Sequence, residues 1–288
     1  MVLWLQANGN PLFDALALLL NVAGSTFFYV LLVPLVYWAL DRRLGIRLLF
    51  AVMAATTVTD ALKELLRTPR PYVVAPDRVV LLAEQTGYGI PSGHVVISLV
   101  VWGYVAVWLR RRSLGWGVAA YVVVMAWSRM YAGVHYPQDV AVGALVGLVV
   151  LWLYARLADP VAAWWGRAAW WAQALAVTLG SALVLLLRGG DPFDLVLGGL
   201  LLGSGLGYVW EGRALRFAVA GSPAQRALRV VLGLALAALV FLALLVLLAG
   251  RGPAWLGFAL PALAAGTVMT AGGPWLFVRL RLAGKRQD

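Results

Sequence analysis

The stretch VVLGLALAALVFLALLVLLAG, Val230–Gly250, decides the class of this chain: twenty-one residues pass without one charged side chain. As a helix it rises about 30 Å, the thickness of a bilayer's hydrocarbon core. Working outward, comparable apolar runs recur at 24–40, 46–66, 92–109, 114–130, 138–157, 170–187, 193–210 and 256–278, giving nine expected spans. Composition agrees. Of 288 residues, 63% are hydrophobic and 12% charged, against roughly a quarter charged in an ordinary soluble domain. The expected fold is all-α, a polytopic integral membrane protein. Asn10-Pro11 reads as a helix cap followed by a first-turn proline. The segment that it opens, to about Asn21, carries Asp14 and is expected to lie at the membrane interface.

The net charge of +11 invites a nucleic-acid reading, but the cations cluster in short loops between apolar runs and no nucleic-acid motif accompanies them. Their placement instead sets an orientation. Sixteen of the 23 Lys and Arg residues fall in one set of loops, around Arg42 to Arg47, Arg110 to Arg112, Arg156 to Arg167, Arg213 to Arg229 and Arg279 to Arg286. That side is expected to be cytoplasmic, with the C-terminus inside. Cysteine is absent, which excludes disulfides and thiolate metal sites. MVLWLQANGN has neither a basic n-region nor a small-residue cleavage site, so no removable signal peptide is expected.

Three short stretches fall on the opposite side, and they carry the chemistry: Lys63-Glu-Leu-Leu-Arg-Thr-Pro-Arg70-Pro71, Pro91-Ser92-Gly93-His94, and Ser128-Arg129-Met-Tyr-Ala-Gly-Val-His135-Tyr-Pro-Gln-Asp139. Lys63, Arg70 and Arg129 are cations at a membrane boundary, costly unless an anion neutralises them. Guanidinium forks match phosphate oxygens, and a lysine adds a point charge. Pro91 suits the first turn of a helix, which makes the amides of Ser92, Gly93 and His94 donors at a positive helix end. Gly93 allows close backbone approach and Ser92 adds a hydroxyl. The chain has only two histidines, His94 and His135, and both lie in these stretches. With Pro137 opening a helix, Asp139 in its first turn reaches back to fix the tautomer of His135. His94, at the rim of the anion cradle, is placed to protonate a departing alkoxide.

Lys-x6-Arg-Pro, Pro-Ser-Gly-His and Ser-Arg-x5-His-x3-Asp, in this order, resemble the signature motifs of the type 2 phosphatidic acid phosphatase superfamily. The resemblance covers roughly residues 24–157, and Asn10 to Leu40 looks like the N-terminus of a bacterial branch. It implies a membrane lipid phosphate phosphatase in which His135 is the nucleophile, Asp139 orients it and His94 is the general acid. Lys63, Arg70, Ser92, Gly93 and Arg129 would hold the phosphate, with no cofactor or metal required. The implied substrate is a lipid phosphate monoester or diphosphate within the bilayer of the bacterial cytoplasmic membrane, with the site facing outward and no nucleic-acid partner.

The expected organisation is a six-helix phosphatase core, 1–158, made of an N-terminal helix and the first five spans, followed by a C-terminal transmembrane bundle, 159–288, of about four helices. In the second part, Gly199, Gly203 and Gly207 recur every four residues, so that one helix face can approach a neighbour closely. Asp60, one turn before Lys63, reads equally as an ion-pair partner or as a functional acid. A lipid phosphotransferase would use the same intermediate but pass the phosphoryl group to a second lipid. A lipid transporter is the non-enzyme alternative, supported by the additional helices.

Overall fold

The computed structural model describes residues 1–188 and 191–286. Among them the chain forms helices and no strand; a lone bridge pairs Phe217 with Lys285. The helices in chain order are α1 (Val2–Ala7), α2 (Pro11–Ala23), α3 (Thr26–Leu35), α4 (Arg42–Leu66), α5 (Pro71–Val74), α6 (Gly93–Trp108) and α7 (Arg112–Tyr131). They continue as α8 (Pro137–Arg167), α9 (Trp170–Arg188), α10 (Pro192–Trp210), α11 (Pro223–Leu248), α12 (Ala254–Thr267) and α13 (Gly273–Arg279). Single π turns follow α3, α10 and α12, at Val36–Leu40, Glu211–Leu215 and Val268–Gly272.

A helix occupies each of the nine expected positions, but fewer qualify as spans on their own. Among the described residues, six segments are long and apolar enough to cross a membrane, or seven if the bent pair Pro11–Ala23 and Thr26–Leu40 counts as one. The six are Arg42–Val74, Pro137–Arg167, Trp170–Arg188, Pro192–Leu215, Pro223–Leu248 and Ala254–Arg279. Gly93–Trp108 is apolar but only 16 residues long, about 24 Å against a core of about 30 Å. Arg112–Tyr131 is long enough, but Arg112, Ser113, Ser128 and Arg129 dilute its apolar content.

The chain forms two compact units, Met1–Leu31 with Ala54–Asp159, and Leu32–Met53 with Pro160–Asp288. Residues 32–53, which the sequence reading counts with the core, thus belong to the second unit.

In the first unit, Asn10 caps α2 by accepting from the amide of Phe13 at 3.0 Å, and Pro11 occupies the first turn. α2 packs against the helices of this unit. Its Ala17 and Leu20 are buried, and Leu20 joins Val95, Leu99, Val122, Met125 and Val140 in one apolar cluster. Fully burying a side chain of this size stabilises by roughly 1.5–3 kcal/mol. α2 ends at Gly24, and the helix that follows bends away by 59°. A β-carbon on Gly24 would meet His94 Cδ2 at 2.6 Å and Met125 Cε at 2.7 Å, so glycine is what lets α6 and α7 close on the end of α2.

In the second unit, α10 packs on α12 through its glycines. A β-carbon on Gly199 would strike the carbonyl oxygen of Ala259, and one on Gly203 that of Leu263. The four-residue glycine repeat therefore does what its spacing suggests. Asp191 caps α10, accepting from the amide of Asp194 at 2.8 Å. The polar core of this unit is satisfied locally. Glu211, fully buried, pairs with Arg42 and accepts from the amide of Phe217 at 2.6 Å, as a buried carboxylate requires. Arg229, equally buried, donates to the carbonyls of Trp38, Val219, Ala220 and Leu282.

Candidate active site

The first unit brings the three sequence motifs together. His135 lies in the short connection between α7 and α8, and it is buried. Pro137 opens α8, which puts Asp139 in the first turn. Its Oδ2 stands 3.2 Å from His135 Nδ1 and accepts from the amide of Tyr136 at 2.9 Å.

The other ring nitrogen settles the tautomer. Arg70 Nη1 stands 3.3 Å from His135 Nε2. A guanidinium can only donate, so Nε2 presents its lone pair and the ring proton sits on Nδ1, facing Asp139. Burial holds the pKa of His135 well below the ordinary histidine value, and the cations Arg70, Lys63 and Arg129 depress it further. The ring is therefore neutral at pH 7, with its Nε2 lone pair accepting from the Arg70 guanidinium.

Arg70 precedes the short helix α5 and is 2% exposed. Its guanidinium donates to the carbonyls of Gly87 at 2.8 Å, Thr86 at 2.9 Å and Val134 at 3.1 Å. Arg129, in the last turn of α7, is fully buried and donates to Asn21 Oδ1 at 2.6 Å, Ala17 O at 3.1 Å and Ser128 Oγ at 3.2 Å. Every one of these acceptors is uncharged. Both guanidinium groups are fixed without losing their charge to a carboxylate.

Ser92 is the N-cap of α6 and Gly93 its first residue, two positions later than a first-turn Pro91 suggests, so Pro91 lies just outside the helix. The Ser92 amide is not a free donor, because it bonds the carbonyl of Asp139 at 3.0 Å. The amides of Gly93 and His94 remain in the first turn, beyond reach of any intrahelical carbonyl. The Ser92 hydroxyl is fully buried and finds no hydrogen-bond partner, which is costly for a polar atom unless a ligand completes it. Lys63 comes from the last turn of α4, with Nζ 3.7 Å from Asp60 Oδ1 and 3.8 Å from the position of a β-carbon on Gly93. His94 is partly buried, with Nε2 3.0 Å from the carbonyl oxygen of Asn21, so this nitrogen carries the proton and donates.

All eight sequence-predicted residues thus fall into two linked sets: Arg70, His135, Asp139 and Ser92, and Lys63, Gly93, His94 and Arg129. α2 supplies what the motifs do not contain. Asn21 accepts from Arg129 and from Gln85 Nε2 through its side chain, the latter at 3.1 Å, while its backbone holds His94. The signal was in the sequence: Asn21 is a carboxamide in the otherwise apolar run ALALLLNVAG.

Comparison with known proteins bears on this arrangement. Residues 44–162 match the model of the PAP2 superfamily, and residues 195–285 match the model described as PAP2 superfamily phosphatase, transmembrane extension. The chain belongs to the PAP2 superfamily.

Curated relatives within reach of this superfamily chain include lipid phosphate phosphatase delta of Arabidopsis thaliana, 24% identical over 54% of this chain and 40% of its own length. The undecaprenyl-diphosphatase of Sulfolobus acidocaldarius is 31% identical over 40% of this chain and 56% of its own. Phosphatidylglycerophosphatase B of Escherichia coli is 31% identical over 27% of this chain and 34% of its own. The chain spans about half the length, or less, of these relatives. No solved structure matches it. The eight motif residues lie inside the PAP2 match, whereas Ala17 and Asn21 precede it.

Proposed function

We propose that this protein is a membrane lipid phosphatase that hydrolyses a lipid phosphate monoester or diphosphate through a phosphohistidine on His135. The observation that carries this reading is the pair of contacts on His135, Asp139 at Nδ1 and Arg70 at Nε2. They leave a neutral imidazole whose attacking lone pair faces a phosphate-binding cation. Relatives named as lipid phosphate phosphatase, undecaprenyl-diphosphatase and phosphatidylglycerophosphatase support the substrate class.

In the first step His135 Nε2 bonds phosphorus while the bond from phosphorus to the leaving oxygen breaks. Lys63, Arg70, Arg129, the Ser92 hydroxyl and the amides of Gly93 and His94 hold the phosphoryl oxygens. Electrostatic stabilisation of this kind is usually the largest contribution to rate. Because His94 keeps Nε2–H on the Asn21 carbonyl, Nδ1 is the position that takes up a proton with the bound phosphate's negative charge beside it and then gives it to the leaving oxygen. In the second step Nδ1 takes a proton from water, the water oxygen bonds phosphorus and the P–N bond breaks. Asp139 stabilises the His135 imidazolium formed in between.

Among the described residues no group of three or more His, Asp or Glu side chains is arranged to hold a metal. The reading therefore assigns charge neutralisation to the three cations, and turnover is expected to survive chelator and to be blocked by vanadate. The site is assigned to the extracytoplasmic side of a bacterial inner membrane, with a cytoplasmic C-terminus, from the loop distribution of Lys and Arg. Phosphate release by detergent-purified protein from phosphatidate, phosphatidylglycerol phosphate and undecaprenyl diphosphate tests the activity and ranks the substrates. Release from none of them overturns it.

A further inference from the structure

Arg129 and His94 come from different helices and different motifs, yet both end on the same residue of α2. Asn21 Oδ1 accepts from Arg129 Nη1 at 2.6 Å and from Gln85 Nε2 at 3.1 Å, and the Asn21 carbonyl oxygen stands 3.0 Å from His94 Nε2. One turn earlier, the Ala17 carbonyl accepts from Arg129 Nη2 at 3.1 Å. The end of α2 therefore fixes one phosphate-binding cation and the proposed general acid by two independent attachments.

The chemistry of the side-chain attachment matters as much as its position. A carboxylate would hold the guanidinium as well as a carboxamide does, but it would also cancel the charge that a phosphate needs. A neutral oxygen orients the donors and leaves the positive charge for the ligand. The remaining partners of Arg129, Ala17 O and Ser128 Oγ, are neutral too. Asp14, the carboxylate in the first turn of α2, is engaged elsewhere, accepting from the Tyr131 hydroxyl at 2.6 Å.

We propose that Asn21 is a positioning residue for phosphate binding, a neutral anchor that aims Arg129 without discharging it and whose backbone carbonyl holds His94. This rests on the phosphatase reading above. It makes a prediction that a merely structural asparagine does not. Asn21→Asp keeps size and acceptors but adds a charge; Asn21→Ala loses the acceptor and leaves Arg129 charged. If charge is what Asn21 protects, the isosteric change is the more damaging one for anion binding.

The test uses the full chain in detergent and orthovanadate as the probe, with binding followed by 51V NMR and turnover measured in parallel. Asn21→Asp is expected to weaken vanadate about tenfold or more, to raise KM for a lipid phosphate more than it lowers kcat, and to keep the wild-type melting temperature. Asn21→Ala is expected to weaken vanadate less than Asn21→Asp does. Wild-type binding in Asn21→Asp, or the reverse order of the two variants, overturns the proposal. Should neither variant fold, Gln85→Glu brings a carboxylate to the same cluster from a loop; weaker vanadate binding supports the proposal and unchanged binding overturns it. Failure of the phosphatase reading is seen separately, as a wild-type protein that neither binds vanadate nor releases phosphate.

Discussion

Arg70 donates a guanidinium N–H to Nε2 of His135 across 3.3 Å, so the lone pair of the imidazole lies where a phosphate held by Arg70 would meet it. Asp139, 3.2 Å from the other nitrogen, completes a line in which each group fixes the protonation state of the next. Asp139→Asn breaks this line. An amide can donate to Nδ1, which moves the ring proton to Nε2 and removes the attacking lone pair. First-turnover rate is expected to fall about 10³–10⁴-fold with little change in vanadate affinity. Stopped-flow phosphate release and a vanadate titration measure the two quantities, and a loss under about tenfold would contradict the orienting role.

His135 is observable on its own, because the chain has two histidines and His94→Asn leaves one. In protein labelled with 15N-histidine, Nδ1 is expected to be protonated and Nε2 bare. Burial and three neighbouring cations oppose the charged ring, so it should titrate well below about 6.5. Lys63→Gln removes one cation and should move that titration upward. The sign for stability follows: below about pH 6.5 the unfolded chain binds a proton that the folded chain refuses, so stability is greatest above that pH and falls with acid. A titration at or above 6.5 would contradict the site's electrostatics.

The leaving group separates the two histidines. General acid help is worth about 10²–10⁴-fold for a poorly leaving alkoxide, whereas a nitrophenolate departs without a proton. His94→Asn should lose far more first-step rate with a lipid phosphate than with p-nitrophenyl phosphate. His135→Ala should abolish both. Equal losses for the two substrates in His94→Asn would mean that His94 only holds the phosphate.

Packing gives a prediction remote from the chemistry. Gly203→Ala places a methyl group on the Leu263 carbonyl oxygen, backbone against which no side chain can rotate away. Overpacking of this kind costs typically about 1–3 kcal/mol. The melting temperature of detergent-purified protein should drop clearly, while Gly180→Ala, in open space on α9, should leave it unchanged. Equal melting temperatures would contradict the close approach of α10 and α12.

What was legible in the sequence divides along physical lines. Membrane helices announce themselves through composition, so Val230–Gly250 and its counterparts needed no tertiary information. Asn10-Pro11 gave its cap because capping is local. The clustering of Lys63, Arg70, Ser92, Gly93, Arg129, His94, His135 and Asp139 was foreseeable because spacing and residue type repeat a known pattern. The part that α2 plays in the site was not legible, because a short apolar helix with one polar residue shows its composition but not whom it meets. Asn21 touches residues 64 and 108 positions away. Gln85 sits in a loop that no periodicity describes, and the Ser92 amide was assigned to a ligand because its partner, the Asp139 carbonyl, is a tertiary contact.

The central claim is that phosphorus bonds to His135, and direct trapping tests it. His94→Asn lacks the base for the second step but forms the intermediate readily from a leaving group that needs no proton, so the phosphorylated intermediate should accumulate during the first turnover of 32P-labelled p-nitrophenyl phosphate. Rapid quench in alkali, proteolysis and peptide mapping should then find acid-labile, alkali-stable label on the peptide carrying His135, and none in His94→Asn/His135→Ala. Release of phosphate at an unimpaired first-turnover rate with no label on His135, or label held as an acid-stable ester on Ser92, would contradict the account.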